Sequence, residues 1–182
     1  MQPVGQLHVV MGHMFSGKTS ALLKDIHESE RANIQRMVVT HAMDTRYDTN
    51  HVVSHIGDSR EAIPVTHLTS LWFTVEYHEA KAIFIDEAQF FSDLYEFVEH
   101  AVDVDAKYVY VYGLDGDYKR RVFGDITRII PLADTVTKLT GQCAICNDGT
   151  RALFSKRMTE SKDQVEIGTS EHYEPVCRRH YA

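Results

Sequence analysis

Residues 12 to 19 read GHMFSGKT. Gly12, Gly17, Lys18 and Thr19 form a complete phosphate-loop pattern, with four residues (His13, Met14, Phe15 and Ser16) between the glycines. The glycines let the backbone curl so that its N–H groups point inward at phosphate oxygens. A helix starting at the end of the loop adds the positive end of its dipole. Lys18 can reach the β- and γ-phosphates, and Thr19 can ligate Mg²⁺. Further along, KAIFIDEAQFF carries Asp86 and Glu87 at the end of an apolar run. Asp86 is placed to hold Mg²⁺ through water, and a carboxylate beside it can serve as a general base. A solvated acid at a strand end is the plain alternative for Glu87. Many ATPases also carry such a pair, with the second acid activating water. The pair therefore points to phosphoryl transfer without naming the acceptor.

Three weaker constellations accompany these two. DTRY places Arg46 in a polar, His-rich stretch, where a guanidinium can offer a planar fork to phosphate; a surface arginine is the blander reading. Cys143-x-x-Cys146 and Cys177-x-x-His180 form two paired-ligand knuckles. Four soft or borderline ligands suit a closed, tetrahedral, structural zinc site, with His172 as a substitute for His180. A redox Cys-x-x-Cys is the alternative for the first pair, opposed by the third cysteine. Finally, Phe90, Phe91, Tyr118, Phe123 and Tyr173 fall beside strand ends or loops, where aromatics can sandwich a planar base; for any one of them alone, core packing is the blander reading.

Positioning these groups requires an alternating pattern of strands and helices. Apolar runs predict strands over 6–11, 37–40, 81–86 and 108–112. Helices are expected over 18–31 and 68–77, and from a Ser92 or Asp93 cap to about residue 102. Residues 44–58 are read as a loop. The expected fold class is α/β, a mostly parallel sheet covered on both faces. Beyond Gly141 the character changes to a polar, cysteine-bearing segment, so a subdomain boundary is placed near residue 140.

The bulk properties narrow the function classes. The chain has 182 residues and a net charge of −7, which suits one domain with a small appendage. Scattered cations in an acidic chain disfavour a nucleic-acid-binding face, including a zinc-ribbon module. No apolar run is long enough for a membrane-spanning helix, and the first residues do not read as a secretory signal. A soluble cytoplasmic protein is the expectation. Three cysteines argue against a disulfide framework.

In order along the chain, GHMFSGKTSALL, DTRY, IFIDEAQFF, GLDGDYKRRVFG, PLADTVTKLTGQCAIC and YEPVCRRHY resemble the cytosolic (type II) thymidine kinase family. The resemblance implies a P-loop, RecA-like parallel sheet flanked by helices over 1–140. It also implies a zinc-bearing lasso subdomain over 141–182 that closes on the nucleoside. The implied reaction transfers the γ-phosphoryl of ATP to the 5′-hydroxyl of thymidine, with Mg²⁺; deoxyuridine is a further possible acceptor. Carried over by residue, Gly12, His13, Met14, Phe15, Ser16, Gly17, Lys18 and Thr19 hold ATP. Asp44, Thr45, Arg46, Asp86, Glu87, Ala88 and Gln89 fall in ATP- and metal-contacting stretches. Glu87 is the implied base, with Lys18 and Arg46 stabilising transferred charge. Thr19 and Asp86 are the Mg²⁺ positions. Met14, Phe90, Leu114, Tyr118, Phe123 and Tyr173 correspond to the pocket around thymine and sugar. Gln164, Val165, Glu166, Ile167 and Gly168 correspond to the lasso. Cys143, Cys146, Cys177 and His180 correspond to the zinc ligands, and a homotetramer is implied.

The chain departs from the family pattern in places. His13 stands where proline is frequent, a change expected to leave the loop intact. Tyr118 stands where phenylalanine is common, adding a hydroxyl that needs a partner. His180 stands where many members have cysteine, which keeps sound zinc chemistry. The stretch between Cys146 and Ser155 is longer than in some members.

Overall fold

The computed structural model describes residues 4–43, 51–53, 59–165 and 171–182. Strand β1 (Gln6–Gly12) runs into the glycine loop, and helix α1 (Lys18–Arg31) leaves it. Next come β2 (Arg36–His41), β3 (His51–Val53), β4 (Ser59–Glu61) and β5 (Ile63–Val65). The 3₁₀ turn Leu68–Phe73, α2 (Val75–Glu79) and β6 (Ala82–Ile85) follow. Then come α3 (Leu94–Glu99), β7 (Tyr108–Gly113) and β8 (Thr135–Leu139). Six strands form one sheet in the order β5-β2-β6-β7-β1-β8, and every pairing in it is parallel. The carboxyl ends of β1, β2, β6 and β7 therefore share one edge. That is where ligands bind in open α/β sheets.

Alternation along each strand explains the two-sided core. Leu7, Val9 and Met11 of β1, Ile83 and Ile85 of β6, and Val109 and Val111 of β7 face one apolar layer with Leu94, Phe97 and Ile126. Ala82, Phe84 and Tyr112 face the other, against Leu22, Leu23 and Ile26 of α1. Leu22, Leu23 and Ile26 recur at helical spacing, so α1 lays one stripe on the sheet. Each fully buried leucine or phenylalanine contributes about 1.5–3 kcal/mol. Tyr112 adds a polar anchor: its hydroxyl donates to Asp25 of α1. This fixes the helix that begins at Lys18.

The sheet-forming strands expected at 6–11, 37–40, 81–86 and 108–112 are all present. Three other readings need correction. The stretch 44–58 is not loop throughout, because β3 pairs antiparallel with β4. The helix expected over 68–77 is broken at Thr74, whose backbone is extended. The Thr74 hydroxyl accepts from the Tyr77 N–H at 3.2 Å and so starts a new, shorter helix. The helix expected to reach residue 102 begins at Leu94 without a side-chain cap and gives way to a π-helical turn, His100–Val104. The Asp93 carboxylate is occupied elsewhere, accepting from Thr69 N and Oγ1 at 2.9 Å each. Strands β5 and β8, the two sheet edges, were not anticipated from the sequence.

Past β8 the chain builds two small antiparallel pairs. These are β9 (Gly141–Gln142) with β10 (Arg151–Ala152), and β11 (Phe154–Arg157) with β12 (Tyr173–Val176). A single helical turn, α4 (Arg178–Tyr181), follows.

Candidate active site and metal cluster

The glycine loop spans the turn from β1 to α1. A Cβ on Gly12 would stand 2.6 Å from the Leu139 carbonyl oxygen and 2.7 Å from Ser16 Oγ, so only glycine fits. Gly17 has φ +89°, and Phe15 is left-handed at φ 66°. The Lys18 ammonium folds back over the loop and donates to the His13 carbonyl at 2.9 Å. Ser16 N donates to the same carbonyl at 3.3 Å. This is a curled backbone closed by its own lysine, able to hold a polyphosphate.

The loop is also held from outside. The His13 side chain is only 3% exposed. Its Nδ1 lies 2.6 Å from the Met14 carbonyl, and Gly141 N donates to its Nε2 at 2.9 Å. An N–H can only donate, so Nε2 carries the lone pair and Nδ1 the proton. Burial pushes the imidazole below its ordinary value, opposed by the bond to the Met14 carbonyl; the Lys18 ammonium acts in the same sense as burial. Met14 N donates to Ser155 Oγ at 2.9 Å.

The acid pair sits where β6 ends. Asp86 is buried, its N–H donates to the Val39 carbonyl at 2.9 Å, and its Oδ1 accepts from Glu87 N at 2.9 Å. Glu87 is left-handed at φ 50°, which turns the chain sharply out of the strand. Such a conformation in a non-glycine residue costs about 1–3 kcal/mol and is tolerated where surroundings impose it. Gln89 holds the side chain that this turn presents. Its Nε2 donates to Glu87 Oε2 at 2.6 Å, while its Oε1 accepts from Leu114 N at 2.9 Å. The space around Gln89 is reserved by glycines. A Cβ on Gly113 would lie 2.7 Å from Gln89 Oε1, and one on Gly124 would lie 2.1 Å from the Gln89 carbonyl oxygen. Gln89 thus aims the Glu87 carboxylate and ties the end of β6 to the end of β7, a role its sequence position did not reveal.

The proposed pocket aromatics fall into two groups. Phe90 and Phe123 meet edge to face, with centroids 5.5 Å apart. Around Arg157, the guanidinium lies 3.8 Å from the Tyr118 ring centroid and 5.1 Å from that of Tyr173. Arg157 Nε also donates to the Tyr173 hydroxyl at 3.2 Å. The Tyr118 hydroxyl reaches the Ser161 carbonyl at 3.5 Å. Met14 and Leu114 are half-buried. Phe91 belongs to the core instead, at 1% exposure.

Sequence reasoning does not single out Arg157, yet it holds the stretch that leads into the expected lasso segment. It donates to the carbonyls of Ser161 at 3.2 Å and Gln164 at 3.3 Å, and to that of Asp163. Asp117, also missed, is buried and accepts from Lys119 N at 2.8 Å, Arg121 N at 2.9 Å and Gln164 Nε2 at 3.1 Å. An aspartate two residues before a lysine in a glycine-rich loop is an Asx-turn signal that could have found it. Val165 is exposed. Asp44, Thr45, Arg46, Glu166, Ile167 and Gly168 lie outside the described residues.

The four expected metal-ligating side chains converge. Their ligand atoms all lie within 4.8 Å of one another, and His172 is not part of the group. His180 Nδ1 is 3.3 Å from Cys146 Sγ and 3.6 Å from both Cys143 and Cys177 Sγ; the Cys146 and Cys177 sulfurs are 3.8 Å apart. A tetrahedron with Zn–S bonds of about 2.3 Å has edges of about 3.8 Å. The separations and the donor types therefore both fit zinc. The turn after Cys143 is closed by Asn147 N donating to the Cys143 carbonyl at 3.1 Å.

Known proteins match the amino-acid sequence over nearly the whole chain. The thymidine kinase family model matches residues 5–181. A thymidine kinase of Oryza sativa subsp. japonica is 44% identical, over 97% of this chain and 66% of its own length. The thymidine kinase of Fowlpox virus is 40% identical, over 96% of each chain. The cytosolic thymidine kinase of Homo sapiens is 36% identical, over 97% of this chain and 73% of its own. With the phosphate loop, the acid pair and the Cys₃His cluster in place, the chain belongs to the thymidine kinase family.

Proposed function

We propose that this protein is an ATP-dependent thymidine kinase that transfers the γ-phosphoryl of ATP to the 5′-hydroxyl of thymidine, giving thymidine monophosphate, with deoxyuridine as a further acceptor. The observation that supports this best is Glu87. It is a carboxylate turned out of β6 by a left-handed backbone and held by Gln89, at the same sheet edge as a complete phosphate loop.

In this reading the backbone from Gly12 to Thr19 and the Lys18 ammonium bind the polyphosphate. Arg46 offers a fork to the transferred group. Thr19 and Asp86 would hold Mg²⁺, which spreads the charge of the phosphate oxygens. Glu87 accepts the proton of the attacking hydroxyl, and Gln89 keeps its carboxylate aimed. Met14, Phe90, Leu114, Tyr118, Phe123 and Tyr173 line the base and sugar. The segment from Gln164 to Gly168 covers them. Cys143, Cys146, Cys177 and His180 would hold a structural zinc that clamps 141–182 as a subdomain on the 1–140 kinase domain. Relatives named cytosolic support a cytoplasmic setting. No helix of the described residues is long and apolar enough to cross a membrane. A homotetramer is the proposed assembly.

The test is single-turnover phosphorylation of thymidine by Glu87→Gln, with ATP affinity measured separately. The rate is expected to fall by about 10²–10⁴ with ATP binding kept. An unchanged rate removes Glu87 as the base.

A further inference from the structure

We infer that His13 is a positioning residue that ties the phosphate loop to the cysteine-bearing segment, so that nucleotide in the loop strengthens the hold on the nucleoside. The inference rests on the kinase reading above. Three observations carry it.

First, His13 lies inside the loop itself and yet is buried, with both ring nitrogens engaged. Nδ1–H donates to the next carbonyl of the loop, and Nε2 accepts from Gly141 N at 2.9 Å. Gly141 stands two residues before Cys143, at the start of β9. The contact is tight, since a Cβ on Gly141 would lie 3.0 Å from the Phe15 carbonyl oxygen and 3.1 Å from His13 Cε1.

Second, the next loop residue makes an independent tie. Met14 N donates to Ser155 Oγ at 2.9 Å, and Ser155 is only 6% exposed. Loop backbone that could point elsewhere is thus committed to β11.

Third, β11 leads directly to the nucleoside side. Two residues after Ser155, Arg157 holds the carbonyls of Ser161 and Gln164 and stacks on Tyr118. A shift of the loop on taking up phosphate is therefore passed to the segment that covers the acceptor by two hydrogen bonds and one arginine. The tie through His13 needs the neutral ring, because a protonated Nε2 would face the Gly141 N–H as a second donor.

The experiment is calorimetric titration of thymidine into zinc-replete protein, with and without saturating Mg–ADP, which cannot react. Wild type is expected to bind thymidine more tightly with Mg–ADP, by at least fivefold. His13→Phe keeps the ring volume but has no acceptor, and is expected to reduce this factor to below twofold. His13→Gln, whose Oε1 can accept from Gly141 N, is expected to restore most of it. Zinc content and melting temperature are measured on each variant. Should His13→Phe fold poorly, Ser155→Ala cuts the second tie alone and must lower the same factor. A wild-type factor near one, or an unchanged factor in His13→Phe, overturns the inference. Thymidine failing to bind wild type at all overturns instead the kinase reading beneath it.

Discussion

The amino and carboxyl ends of the parallel sheet are built from similar residue types put to different use. At the amino end, Lys107 is 7% exposed, and its ammonium donates to the carbonyls of Tyr77 and Ala80 at 2.7 Å each. The same ammonium lies 4.5 Å from the Tyr77 ring centroid. The Tyr77 hydroxyl donates to Asp105 at 2.5 Å, and Lys81 donates to the Ala106 carbonyl at 2.5 Å. Left-handed residues occur here too. Asn33 and Ala106 have φ of 53° and 52°, but they close turns whose neighbouring N–H groups are taken up by the chain: Asn33 N by Glu30, Lys107 N by Ala101. At the carboxyl end the left-handed residue Phe15 lies in the glycine loop, and left-handed Glu87 presents a carboxylate held by Gln89. At the amino end these groups satisfy one another, while at the carboxyl end the loop and the acid pair are shaped by glycines, by Gln89 and by the segment past Gly141. The lesson is that a lysine, a carboxylate or a positive φ does not mark a site. The direction in which its neighbours leave it pointing does.

This contrast can be broken in graded ways. The largest effect is expected from metal removal. Purified protein should carry about one zinc per chain, and a strong chelator should abolish nucleoside phosphorylation and lower the melting temperature, since ligand binding and local folding are one process there. Metal analysis that finds no zinc removes the proposed site. Next, Lys107→Ala should destabilise by about 2–4 kcal/mol, because two buried carbonyls lose their donor. Thymidine turnover below the melting temperature should stay near wild type. Denaturant melts and steady-state rates on the same preparation check both halves. A large loss of turnover without loss of stability would contradict the division between the two ends.

The smallest effect is one of pH. Burial, then the bond to Asp105, push the Tyr77 hydroxyl far above its ordinary value. Burial and Asp25 do the same to Tyr112. The unfolded chain ionises these phenols near pH 10 while the folded chain keeps them neutral. Their stabilising contribution is therefore complete below pH 10 and is lost as pH rises, at about 1.4 kcal/mol per unit for each group. Melting temperature from pH 8.5 to 11 should fall less steeply in Tyr77→Phe than in wild type; parallel curves would contradict the assignment.

Much of this was legible from local pattern. The loop at 12–19 and the acid pair at 86–87 are contiguous in sequence, and the strands that carry them are short apolar runs bounded by polar residues. The Cys₃His group was legible because metal-ligand spacing is itself a local code. The sheet edges were not. Residues 63–65 include a proline, and four of the five residues of β8 are exposed. Nor were the roles of His13, Gln89 and Arg157, which depend on Gly141, Leu114 and Ser161. Those partners come from elements that meet only after the chain folds. The helix expected over 68–77 failed for a local reason, since Thr74 caps better than it propagates.

The most direct measurement is product analysis after incubating the purified protein with ATP, Mg²⁺ and a panel of nucleosides. Thymidine 5′-monophosphate should form, matched one to one by ADP, with little ADP released when nucleoside is omitted. ATP hydrolysis at the same rate without nucleoside, or phosphorylation of other nucleosides but not of thymidine, would contradict a thymidine kinase built on Glu87 and the phosphate loop.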